Sequence, residues 1–257
     1  MPAWYQVSDK VIGEGTFGSV KEGFFKTLDK IPEYFDALSE CSCLQKLQGS
    51  PNFPFFFGLV GNAIVVELVL DENNETSTVY STFKAGEKSQ DFWKSTSMEL
   101  TGAIMFMHSK GLLYNDIKSN NILLKGKHSI PIVIDMGKTT PRSKTLIYKL
   151  NDRQKTRYNT HHKYLAFELR NIYGAKTDTR TDTFSLGYLF ENLIEGNNNL
   201  LGVLKTGMLI EDPDKRLTLP YVFRQFKSWK KKKESVWLSF YILFPWAIVK
   251  AIHVVFL

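Results

Sequence analysis

Cysteine is nearly missing from this chain: its 257 residues hold only Cys41 and Cys43. Two near neighbours on one helix are poorly placed to bridge, and two thiols cannot complete a zinc site. Disulfide scaffolds and structural zinc modules are therefore excluded, and a reducing cytosol is the expected setting. The first residues, Met1-Pro2-Ala3-Trp4, lack a basic stretch followed by an apolar run, so no secretory signal is expected. No internal repeat and no long low-complexity linker breaks the chain. Acidic charge is also short, leaving a formal net charge of +7. The run Lys230–Lys233 accounts for four positive charges by itself, so no nucleic-acid partner is expected. Apolar residues make up 43%, enough for a sizeable core.

What is present is concentrated in short motifs. Residues 114–124 read Tyr-Asn-Asp-Ile-Lys-Ser-Asn-Asn-Ile-Leu-Leu, and Asp135-Met136-Gly137 begins eleven residues later. The apolar runs Leu112-Leu113, Ile122–Leu124 and Ile130–Ile134 fit short buried strands around that loop. Near the N-terminus stands Gly13-Glu14-Gly15-Thr16-Phe17-Gly18-Ser19-Val20, a glycine-rich turn able to close backbone N–H groups over phosphate. No helical pattern follows it, which disfavours a dinucleotide-binding turn and suits a strand–loop–strand lid. Glu33 to Leu47 reads as a helix with Tyr34, Leu38, Cys41, Leu44 and Leu47 at steps of three or four. Asp91 to Ser109 reads as another, with Trp93, Leu100, Ile104 and Met107 on one face and Gly111 able to end it.

In this order the segments resemble the eukaryotic protein kinases. The resemblance covers about residues 5–226 and implies an α+β, two-lobed fold. Its N-lobe, about residues 5–69, would be a small antiparallel sheet with one helix; its C-lobe, about 70–226, would be mainly helical. It implies transfer of the ATP γ-phosphoryl group to a protein hydroxyl, with Mg²⁺ as the metal. Asp116 would receive the hydroxyl proton, Lys118 would offset charge on the transferred phosphate, and Asn121 and Asp135 would hold Mg²⁺. Gly13, Gly15, Gly18 and Val20 would cover the nucleotide. Glu40 matches the glutamate that pairs with a strand lysine, and Glu67 and Val69 fall where the hinge backbone binds adenine. Downstream, Tyr164-Leu165-Ala166-Phe167-Glu168 resembles the end of an activation segment. Asp182 matches the residue that caps the catalytic-loop backbone, and Arg216 the partner of Glu168 in a buried ion pair. Lys118 is typical of the serine/threonine type.

The departures carry as much information. After Gly18, finishing one strand, turning and running most of another takes roughly 12–15 residues, which places Lys30 as the strand lysine and makes Lys26 too early. Pro32 leaves little strand beyond it. Asn115 stands where many relatives carry an Arg that grips an activation-loop phosphate, so switching by phosphorylation is not expected. Tyr114 replaces a His, Met136 a Phe and Phe167 a Pro, while His161 stands where a Thr is common. Two readings stay open: a working kinase, or a pseudokinase acting as a nucleotide-binding or scaffolding module. The partner of Glu40 discriminates between them.

Residues 227–235 read as a basic linker and 236–257 as an apolar tail with one charge, Lys250. As a helix the tail would span about 33 Å, comparable to a bilayer core, with the lysine run holding the domain on the cytosolic side. Its charge-free part, Val236–Val249, is only 14 residues, a length that equally suits a helix packed on the C-lobe.

Overall fold

The computed structural model describes residues 11–15, 18–21, 25–27, 32–60, 63–86, 88–193 and 200–243, with side chains described only between Leu38 and Glu234. The N-terminal lobe is built from β1 (Val11–Gly15), β2 (Gly18–Lys21), β3 (Phe25–Thr27), α1 (Pro32–Leu47), β4 (Phe56–Val60) and β5 (Ala63–Val66). The strands form one antiparallel sheet in the order β1-β2-β3-β5-β4. Gly15 stands opposite Gly18 where β1 turns into β2. Gly58 marks a bulge between β4 and β5 and sits at φ +141°, a backbone that side-chain-bearing residues rarely adopt.

The strand that should carry the lysine arrives sooner than strand lengths suggest. β2 has four residues and β3 only three, so Lys26 lies inside β3, opposite Val20 on one side and Ile64 on the other. Lys30 falls outside the described residues. Pro32 leaves no room for further strand, being the first residue of α1, where its fixed φ and missing N–H fit a helix start. The inward side of α1 carries Glu40, Cys41, Cys43, Leu44 and Leu47, whereas Leu38, expected on that stripe, is exposed.

After the crossover at residues 67–78 the chain is mainly helical. It runs through α2 (Val79–Ala85), α3 (Gln90–Ser109), the short strands β6 (Leu112–Leu113), β7 (Ile122–Lys125), β8 (Ile130–Val133), β9 (Thr140–Pro141) and β10 (Ile147–Tyr148), and then α4 (Asp152–His161) and α5 (Phe167–Asn171). The last elements are β11 (Ala175–Lys176), α6 (Thr179–Asn192), α7 (Leu200–Met208) and α8 (Leu219–Leu243). Helix α3 buries Trp93, Leu100, Ala103, Ile104 and Met107, and Ser89 caps its start by accepting from the Phe92 N–H. Val222 and Phe226 of α8 are fully buried, and the Phe223 ring lies 3.4 Å from where a Cβ at Gly102 of α3 would stand. Helices α6 and α7 meet at Gly187, where a Cβ would come within 2.6 Å of Met208 Cβ.

The stretch 227–235 is not a linker. It is the continuation of α8, and the helix stays docked: the ammonium groups of Lys94 and Lys233 lie 5.5 Å and 5.8 Å from the Trp229 ring centroid, and Lys233 bonds Asp91 of α3 at 2.7 Å. Lys230–Lys233 face water, so an uninterrupted basic run costs this helix no buried charge. Among the described residues no helix is long and apolar enough to cross a membrane. Residues 244–257 lie outside the described residues.

Candidate active site

The site forms where β6, the loop 114–121 and the β7–β8 hairpin meet. Its anchor is Asp182, in the first turn of α6 and almost fully buried. One carboxylate oxygen accepts from the Asn115 N–H at 2.9 Å; the other accepts from the Tyr114 N–H at 2.9 Å and stands 2.8 Å from His108 Nε2. Charge-assisted bonds to backbone N–H groups are among the stronger ones a protein makes. They hold Asn115 at φ +66°, a left-handed backbone that Asn tolerates better than most residues. The Tyr114 hydroxyl donates to the Ile134 carbonyl, and the Ile134 N–H donates to the Asn121 carbonyl at 3.0 Å, tying the loop to the hairpin. Burial, the largest influence, and then the nearby Asp135 and Asp116 carboxylates push the Tyr114 phenol well above its ordinary range, so it stays a neutral donor.

Asp116 is 3% exposed. Its Oδ2 accepts from Lys118 Nζ at 2.8 Å and from Asn121 Nδ2 at 3.0 Å. Its Oδ1 accepts from Lys138 Nζ at 2.9 Å and from the Tyr164 hydroxyl at 3.3 Å. Burial pushes this carboxyl up, but the two ammonium groups outweigh burial and hold it below the usual carboxylate range. Because the Asn121 amide donates to Asp116, its oxygen is left as an acceptor on the far side. Asp135 follows β8 at φ +59° with its side chain exposed. A carboxylate and an amide oxygen are the hard donors Mg²⁺ takes when phosphates and water complete its shell, so these two residues fit that ion. Among the described residues no group of three His, Cys, Asp or Glu stands together as a self-sufficient metal site.

Glu40 reaches the site from the N-lobe. It is 8% exposed, and its Oε1 accepts from the Met136 N–H at 3.3 Å, which links α1 to the segment after Asp135. At the hinge, the Glu67 N–H donates to the Phe55 carbonyl at 2.8 Å, and the Glu67 carboxylate is held by Lys125 and the Phe55 N–H. Val69 is buried beside Leu123 and Ile132. Gly13, Gly15, Gly18 and Val20 lie on β1 and β2, at the far edge of the same sheet. The Glu168–Arg216 pair is present as a two-pronged contact, 2.9 Å on each prong. Arg216 also donates to the carbonyls of Ile210, Arg180 and Glu211 and lies over the Phe184 ring.

Two features escaped the motif reading. Lys138 lies 22 residues from Asp116 in sequence and contacts it directly. Asn115 is more than a lost arginine: its Nδ2 donates to the Lys138 carbonyl at 2.9 Å and to Thr140 Oγ1 at 3.0 Å. The only sequence signal was a lysine placed directly after Gly137. The segment 138–163 is also not a bare loop, since β9 pairs with β6, β10 pairs with β11, and α4 is capped reciprocally by Asn151 and Gln154.

A family model described as "Protein kinase domain" matches residues 5–205. The chain belongs to the protein kinase family. Among its relatives, RasGEF domain-containing serine/threonine-protein kinase X of Dictyostelium discoideum is 30% identical over 195 residues, covering 72% of this chain and 19% of that protein. Serine/threonine-protein kinase PKH2 of Saccharomyces cerevisiae is 27% identical, over 61% of this chain and 15% of its own length. A protein of Dictyostelium discoideum named "probable inactive serine/threonine-protein kinase" is 36% identical over 96 residues, which is 36% of this chain and 8% of that protein. The chain thus spans less than a fifth of these relatives. Fold and family agree: a small antiparallel sheet with one helix, then a mainly helical lobe.

Proposed function

We propose that this domain is a working protein kinase that phosphorylates serine or threonine hydroxyls. The observation that carries the reading is the state of Asp116: a buried carboxylate held ionised by two ammonium groups and aimed by Asn121. ATP would be the phosphoryl donor, and Mg²⁺, held by Asn121 and Asp135, would supply charge neutralisation on its phosphates. Asp116 orients the acceptor hydroxyl and takes its proton, Lys118 offsets the charge of the group in transit, and Asn121 and Asp135 hold the metal. Gly13, Gly15, Gly18 and Val20 cover the nucleotide, the hinge at Glu67 and Val69 receives the adenine edge, and Glu40 orders the Met136 backbone behind the site. The strand lysine on this reading is Lys26, the residue that β3 contains.

The competing reading is a pseudokinase. The similarity to the kinase named inactive favours it, as does the occupation of both Asp116 oxygens by donors. The test is phosphate transfer from ATP with Mg²⁺ to a mixed serine and threonine peptide library, with Asp116→Asn as control. Turnover that falls at least about a hundredfold in the variant is expected. No transfer by either protein while ATP still binds would establish the second reading, and equal transfer by both would remove Asp116 from the reaction.

A further inference from the structure

An acceptor hydroxyl must come within about 2.6–3.2 Å of an Asp116 oxygen to hand over its proton. Oδ2 is occupied from within the same loop by Lys118 and Asn121, so the approach lies at Oδ1. There the nearest group is the Lys138 ammonium, at 2.9 Å. The backbone under Lys138 is fixed: Asn115 holds its carbonyl, and the Thr139 N–H donates to the Met136 carbonyl at 2.9 Å. Its side chain is 42% exposed, so the ammonium rides a flexible stem from a rigid base to the mouth of the site.

Two ammonium groups contact the one Asp116 carboxylate, and the exposed Asp135 is another acid of the site. The segment 138–163 carries eight lysines and arginines against one acid, Asp152, and Lys155 contacts that acid at 3.6 Å. The His162 ring lies against Tyr158 and Tyr164, and burial first and then the nearby Arg157 and Lys138 push its pKa down.

We propose that Lys138 is a specificity-determining gate on Asp116. An anionic group beside the acceptor hydroxyl draws the Lys138 ammonium off Oδ1, so the domain selects serine or threonine residues flanked by carboxylates or phosphates. A neutral sequence leaves the ammonium seated, and a basic one is repelled. The gate deepens the kinase reading above and rests on it, but recognition of the flank is measurable without turnover.

The test uses the full chain and fluorescent serine peptides whose flanks are Ala, Glu, phosphoserine or Lys. Binding is read by anisotropy and transfer by kcat and KM. Wild type should bind the Glu- and phosphoserine-flanked peptides at least about tenfold more tightly than the Ala-flanked one. Comparing those two arms separates carboxylate from phosphate recognition. Lys138→Arg should keep the preference, Lys138→Met should reduce it to below roughly threefold, and Lys138→Glu should turn it toward the Lys-flanked peptide. Lys138→Met should also raise kcat on the Ala-flanked peptide, an effect that mere loss of structure would not produce. A wild type indifferent to flank, or a Lys138→Met protein that keeps the preference, overturns the gate. Acid-selective, Lys138-dependent binding with no transfer to any peptide overturns the enzyme reading and leaves the recognition standing.

Discussion

Replacing Arg216 with Met removes a guanidinium that the fold has surrounded completely. Its side chain is 0% exposed, its two prongs bind Glu168, and its remaining donors serve three backbone carbonyls. The variant leaves a buried carboxylate without its cation. Breaking such a pair from one side costs about 3–5 kcal/mol, most of it the desolvation of the charge left behind. For a domain of this size that corresponds to a melting temperature lower by about 6–20 °C. Urea titration followed by tryptophan fluorescence measures the loss directly. The partner variant decides the cause. Glu168→Met with Arg216→Met removes both charges and should regain at least about 2 kcal/mol over Arg216→Met alone, although the three carbonyls still lack donors. A single variant that loses less than about 1 kcal/mol, or a double variant no better than the single, would refute the argument that desolvation dominates here.

Asp135→Ala should abolish Mg²⁺-dependent turnover, by at least roughly a hundredfold, because it removes the only carboxylate proposed to bind the metal; unchanged Mg²⁺-dependent activity would remove Asp135 from the site. Lys26→Met should cut turnover at least about tenfold while Lys30→Met does little, given the position of Lys26 opposite Val20 and Ile64; the reverse result would return the role to Lys30. Phosphatase treatment should change activity by less than about threefold, since the Asn115 amide already holds Lys138 and Thr140 without a phosphate; a large difference between phosphorylated and treated protein would mean that another cation supplies the grip.

How much of this was legible beforehand differs by element, for physical reasons. The loop 114–121 was readable because its groups act on one another over a few residues, so their spacing is fixed by short-range geometry. Helix α3 was readable because nothing competes with its apolar stripe. In helix α1 the apolar stripe holds at Cys41, Leu44 and Leu47 and fails at Leu38, because Glu40 turns inward toward the Met136 N–H and Leu38 is left outside. A polar anchor of this kind cannot be weighed by apolar periodicity. The expectation for the strand lysine rests on typical strand lengths and falls on Lys30, outside the described residues, whereas the described β3 contains Lys26. The basic run of α8 resembled a linker because four lysines break any amphipathic pattern, yet all four are exposed, and one of them, Lys233, pairs with Asp91 of α3.

Asn115 marks where motif comparison reaches its limit. Set against relatives, it registers as a missing arginine and therefore as a missing switch. In the fold the same position has gained contacts: the Asp182 carboxylate fixes its backbone, and its amide fixes Lys138 and Thr140. The ordering that other members draw from a phosphate and an arginine is drawn here from neutral hydrogen bonds, which need no modification and respond less to salt. The residue whose carbonyl the Asn115 amide holds, Lys138, places its ammonium on Oδ1 of Asp116, the oxygen proposed to meet the acceptor. An arginine at 115 would present a longer, charged side chain to the Lys138 carbonyl and Thr140. On the proposed gate, the neutral latch and the cationic gate are one substitution acting twice, and control would pass from a modification of the kinase to the charge of its substrate.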